Sequence, residues 1–195
     1  MLPSQESRTR LVQTALKLFA RRGYHNTSIA DILRESGCTR GVLYHHFSSK
    51  EELGYAAIDE GLRLALAQGT RKYLQTNEHP IDRLSKAFDA LPNLIQLGGV
   101  EISTTDLSFR MATIHEGFRK RLEEWLEPTV DQVEQVVHKG VVDVQIADNM
   151  DPRQLAHVLT TMGVGIQHMS LLWHREVISQ NARRWIKDYL NSLRR

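Results

Sequence analysis

One cysteine, Cys38, among 195 residues excludes an intrachain disulfide framework and any cysteine-rich zinc or iron–sulfur site. No G-x-S-x-G elbow, phosphate loop, Rossmann glycine pattern or metal-ligand spacing occurs, so neither catalysis nor a cofactor nor a metal is expected. Long apolar runs are missing too. Arg8, Arg10 and Lys17 interrupt the first 20 residues, which leaves no stretch of signal-peptide length. Residues 154–174 hold no Asp, Glu, Lys or Arg, yet eight of the 21 are Gln, His, Thr or Ser, too many for a lipid-facing helix. The chain is expected to be soluble and cytoplasmic, with no membrane partner.

What is present is an ordinary globular composition, 41% hydrophobic and 25% charged, at a length that suits one domain or two small ones. The formal net charge of +2 hides an asymmetry. Residues 1–50 carry eight Lys or Arg against three Asp or Glu, a net of +5, whereas residues 51–195 carry 17 against 20, a net of −3. A compact basic head on a mildly acidic body points to a polyanion as the partner of the head.

Helical spacing dominates the chain. Leu11, Ala15, Leu18, Phe19 and Arg22 recur at helical intervals, with Gly23 as a stop signal. Ser28 with Asp31 opens a second helix, buried through Ile29, Ile32 and Leu33 and ended by Gly37. Thr39 caps a third, to about His46, and the capping box Ser49–Glu52 opens a fourth, to about Leu74. Pro80 starts a fifth helix that Pro92 kinks near its end, and Gly98-Gly99 is a break. Helix resumes from Ser103 to Lys139, with Gly117 and Pro128 as bends or boundaries and Gly140 as its close. Residues 141–146 alternate like a strand, but no partner strand is visible, so they read as irregular or helical. Asp151-Pro152 opens a helix to about Arg175, and Ser179 caps a last one to about Leu193. The expected fold is all-α, with about nine helices.

The two short helices around Gly37-Cys38 have the size and spacing of a helix-turn-helix, whose second helix enters the major groove N-terminus first. A plain three-helix bundle with a solvated face has the same spacing. In the first reading, Arg40 can donate twice to one guanine and Gly41 lets the backbone come close. Thr39 can bond a phosphate or a base, and Val42 or the Tyr44 ring can touch a thymine methyl. Tyr44, His45 and Lys50 carry donors suited to phosphates, as do backbone N–H groups near Thr27 and Ser28.

The stretch GYHNTSIADILRESGCTRGVLYHHFSSKEEL, Gly23 to Leu53, resembles the DNA-binding head of the TetR family of bacterial one-component regulators. Its most specific part is Thr39-Arg40-Gly41-Val42-Leu43-Tyr44-His45-His46-Phe47 followed by Ser49-Lys50-Glu51. Cys38 departs from the pattern, which usually has an aliphatic residue there; a thiol can serve as a small apolar group, or as a redox switch beside DNA. The resemblance covers about residues 5–55. It implies a DNA-binding domain over 1–50 and a ligand-binding and dimerisation domain over 51–195. It further implies a homodimer that binds a palindromic operator on double-stranded DNA and a small-molecule effector whose binding changes the separation of the heads. Such proteins are usually repressors that leave the operator on inducer binding. A ligand-free regulator, a corepressor-dependent one and an activator are the alternatives.

In the body, Leu155, Leu159, Met162, Ile166, Met169 and Trp173 form a heptad seam, flanked by Gly163 and Gly165. With Trp185 and Tyr189 of the last helix this seam is expected to form a four-helix dimer interface, unless it packs only inside the subunit. Phe88, Leu91, Phe109, Met111, His115, Phe118, Trp125 and His168 are candidates for the effector pocket, each also eligible as core.

Overall fold

The computed structural model describes residues 4–68, 71–91, 95–114, 116–172 and 175–195. They form two compact units. Unit 1 comprises Met1–Ala65 and Leu94–Leu122, and unit 2 comprises Leu66–Asn93 and Glu123–Arg195. These are units of packing, whereas the boundary expected at residue 50 is one of role.

Unit 1 begins with α1 (Ser4–Arg22), whose Leu11, Ala15, Leu18 and Phe19 are fully buried. The helix ends where Gly23 turns to φ +83°, a left-handed conformation that glycine adopts without a Cβ penalty. Helix α2 (Ile29–Ser36) carries the complete capping box: the Ser28 hydroxyl accepts the Asp31 N–H, and the Asp31 carboxylate accepts the Ser28 N–H. Gly37, at φ +66°, closes it. Thr39 caps α3 (Arg40–His46) by accepting the Val42 N–H. In front of α4 (Lys50–Gln68), the Ser49 hydroxyl accepts the Glu52 N–H as expected, but the Glu52 carboxylate reaches back to Ser48 instead of Ser49. Of the run expected to reach Leu74, α4 is described to Gln68 and a four-residue α5 spans Arg71–Leu74. Gly69 and Thr70, between them, lie outside the described residues.

A small sheet completes unit 1 and corrects the expectation of a bare break at Gly98-Gly99. Strands β1 (Ile95–Leu97) and β2 (Val100–Ile102) pair antiparallel, with Ile95 opposite Ile102. Both turn glycines have positive φ, +55° and +76°, as the tight two-residue hairpin demands. Three-residue strands flanking two glycines are too short for alternation to register in the sequence. Ile95 and Ile102 are buried in the core that also holds α1, together with Leu107 and Met111 of α7 (Thr104–Ala112) and Phe118 of α8 (Glu116–Val142). Pro128 lies inside α8, and Gly117 in its first turn.

The core of unit 2 gathers α6 (Pro80–Asp89), the later turns of α8, α9 (Pro152–Leu172) and α10 (Arg175–Ser192). Ile81, Leu84, Val137, Leu155, Leu159, Ile186 and Leu190 are buried there. Arg183 donates to the carbonyls of Asp89 and Leu91 at the C-terminal end of α6, where a cation complements the helix dipole. Residues 143–150 are irregular, held by the pairing of Ile146 with Arg194. Ser179 lies inside α10 and does not cap it, because the helix already begins at Arg175. Pro92 lies outside the described residues.

Candidate nucleic-acid interface

Helix α3 has two unlike faces. Leu43 and the following Phe47 are buried in the core with Ile32 of α2 and Leu11 of α1. The opposite face carries Arg40, Gly41, Tyr44 and His45, all exposed. This is the helical spacing of an outward stripe one and a half turns long. Tyr44 leaves 52% of its surface open, a large exposure for an aromatic ring with a core beside it. Among the described residues no side-chain hydrogen bond or ion pair engages Arg40 or Tyr44. Gly41 is equally open: a Cβ there would meet only the Thr39 hydroxyl oxygen, at 3.9 Å. The fold therefore does not require glycine at this position, although glycine in a helix costs about 1 kcal/mol relative to alanine.

Other predicted contacts are held more tightly. Thr39 is exposed, its hydroxyl oxygen accepting the cap bond while its O–H stays available; Val42 is half-buried. Thr27 is fully buried, and its hydroxyl donates to the Gly23 carbonyl at 2.9 Å. Its N–H goes to the Tyr24 carbonyl, and the Ser28 N–H goes to Asp31. The Lys50 ammonium donates to the Tyr24 carbonyl at 2.6 Å and lies 4.3 Å from the centre of that ring. Its partial burial pushes the ammonium pKa down. An ammonium has three donors, so two remain for a phosphate. The Ser28 hydroxyl and N–H, with the Arg34 guanidinium, hold the Asp31 carboxyl well below the usual carboxylate range. Cys38 is half-buried with its N–H on the Ser36 hydroxyl.

Sequence reasoning missed two supports of α3. His46, in its last turn, hydrogen-bonds through Nε2 to the buried Ser7 of α1 at 3.2 Å. The Arg8 guanidinium lies over the Phe47 ring, 5.3 Å from its centre. Both partners are some forty residues away in sequence, beyond any local pattern.

An exposed stripe with an uncommitted arginine, on the second helix of a helix-turn-helix in a basic head, is the arrangement that meets duplex DNA. Residues 11–57 match the family model described as bacterial regulatory proteins, tetR family. Residues 11–57 are a TetR-family DNA-binding head. The chain is 36% identical over 95 residues to the HTH-type transcriptional activator FasR of Mycolicibacterium smegmatis, covering 49% of this chain and 43% of FasR. It thus spans less than half the length of that relative. An HTH-type transcriptional regulator of Bacillus subtilis, YfiR, is 24% identical over 190 residues, 93% of this chain and 91% of the other. A TetR transcriptional regulator from Chloroflexus aurantiacus shares the fold, with a TM-score of 0.84 at 23% identity over 100% of this chain and 99% of that one.

The remaining predicted residues are distributed between the units. Phe109, Met111 and Phe118 belong to unit 1, where Met111 and Phe118 are buried core. Phe88, Leu91, Trp125 and His168 belong to unit 2, where Gly163 of α9 faces Leu91 and Phe88, so that a Cβ would stand 3.2 Å and 3.6 Å from them. Leu155, Leu159 and Ile166 of the heptad seam lie in the core of unit 2, while Met162 and Met169 are half-buried. Trp185 is 57% exposed and stacks on Tyr189, ring centres 5.7 Å apart. His115 and Trp173 lie outside the described residues.

Proposed function

We propose that this regulator is an effector-responsive repressor that binds a palindromic operator as a homodimer and releases it when a small molecule binds. The observation that carries the DNA-reading part is the outward stripe of α3, where Arg40 and Tyr44 are exposed and uncommitted and Gly41 leaves the backbone open. Arg40 reads a guanine, Gly41 admits the DNA to the helix backbone, and Thr39, Tyr44, His45 and Lys50 hold phosphates or the neighbouring base.

Dimerisation is assigned to the outer faces of α9 and α10. Val158 is 42% exposed on α9, and Gly165 has no atom within 4 Å of where a Cβ would stand. A helical glycine with empty space beside it suits the close approach of another helix. Effector contacts are assigned to the helical body, with Phe88, Leu91, Phe109, Trp125 and His168 among the candidates. FasR is named an activator. The same head serves either sign of control, depending on where the operator lies relative to the promoter.

Selection of bound sequences from a random duplex pool tests the reading. A two-fold symmetric consensus with half-sites one helical turn apart supports it; selection without any consensus rejects it.

A further inference from the structure

We propose that Phe118 is a positioning residue for DNA binding: its ring, locked between Tyr24 and Tyr55, fixes the place of the Lys50 ammonium through Tyr24. The inference rests on the reading that Lys50 meets a DNA phosphate.

Phe118 stands in the first turn of α8, remote in sequence from the head, yet it is fully buried in the core of unit 1. Its ring meets Tyr24 edge-on at 5.1 Å and Tyr55 edge-on at 4.9 Å, the spacing and tilt that aromatic quadrupoles favour. The side toward α4 has no slack. A Cβ on Gly54 would come within 3.0 Å of the Phe118 ring and 3.1 Å of the Tyr24 ring, so the absent side chain is what admits both. Close packing of this kind passes a displacement on instead of absorbing it.

From Phe118 two paths lead to the start of α4, directly after the recognition helix. Through Tyr24, carbonyl and ring together hold the Lys50 ammonium. Through Tyr55, the phenol donates to the carboxylate of Glu51, the neighbour of Lys50. A free lysine stem would lose rotamer freedom on reaching a phosphate; one already pinned on Tyr24 has lost it beforehand. Phe118 therefore serves DNA binding without touching DNA, by keeping Tyr24 where Lys50 needs it.

A phosphate contact acts on every sequence alike, so a fluorescein-labelled 40-base-pair duplex of random sequence is a sufficient probe. Its anisotropy is followed against KCl for the wild type, Phe118→Leu, Lys50→Met and the double variant, each checked for helical content by circular dichroism. Phe118→Leu should weaken binding about three- to tenfold and lower the slope of log K against log salt by about one. Lys50→Met should do the same, and the double variant should be no weaker than the weaker single one. Costs that multiply, or a Phe118→Leu slope equal to that of the wild type, overturn the proposal while leaving the Lys50 contact intact. A Lys50→Met slope equal to that of the wild type removes the phosphate contact and the proposal together. Where Phe118→Leu fails to fold, Gly54→Ala displaces the same rings without deleting one; it should reproduce the loss of slope, and an unchanged slope overturns the role.

Discussion

The Thr27 hydroxyl donates to the Gly23 carbonyl across 2.9 Å, inside the turn that joins the first two helices. Thr27 is fully buried, and its hydroxyl also lies 3.4 Å from the Leu18 carbonyl. It holds the turn. Thr27→Val keeps the shape and deletes the donor, which should cost about 1–3 kcal/mol of stability, read as a lower urea midpoint. DNA affinity per folded molecule should stay as it is. An affinity loss at unchanged stability would return Thr27 to the interface.

Gly41 should show the opposite trade. Gly41→Ala places a methyl in open space on an exposed helix, so stability should rise by up to about 1 kcal/mol. On the proposed reading of α3 the same methyl would stand between helix and DNA, so affinity for duplex DNA should fall. A variant that is both more stable and an equal binder would show that the backbone is not approached.

Acid should reveal the cap of α2. The Asp31 carboxyl is held below its usual range by Ser28 and Arg34, whereas an unfolded carboxyl titrates near about 3.9. A folded value below the unfolded one stabilises the protein above the unfolded value, and the contribution disappears as pH falls toward the folded one. The gap in thermal midpoint between wild type and Asp31→Asn should be constant from about pH 7 to 5 and close steadily below about pH 4. A gap that widens on acidification contradicts the assignment.

The outward Trp185 is the most direct handle on assembly. Trp185→Glu leaves the core of unit 2 untouched, because the ring is 57% exposed, but places a charge where a partner would desolvate it. Light scattering should report monomers. A dimer of unchanged mass would move the interface to another face.

Helix starts were legible in the sequence because each is a local chemical event. Ser28, Thr39, Ser103 and Asp151 each accept a backbone N–H three residues on, and such a bond needs nothing from the rest of the chain. The hairpin at Gly98-Gly99 was not legible, since its stability comes from Ile95 and Ile102 entering a core built around α1. The outward face of α3 was legible from spacing. The commitment of Thr27 to a carbonyl and of Lys50 to Tyr24 was not, because a side chain looks equally free in a sequence whether or not its donors are already taken. Phe118 is the sharpest case: a buried aromatic is visible as apolar, but its neighbours Tyr24 and Tyr55 come from distant parts of the chain.

The central claim is that the exposed face of α3 reads DNA sequence, with Arg40 at a base edge. The measurement that tests it most directly is the affinity of wild type and Arg40→Ala for a selected operator and for a scrambled duplex of equal length, at one salt concentration. Arg40→Ala should lose about 1–3 kcal/mol on the operator and tolerate substitution at one base pair in each half-site, with a much smaller loss on the scrambled duplex. Equal losses on both duplexes would make Arg40 a phosphate contact and contradict base reading by this face.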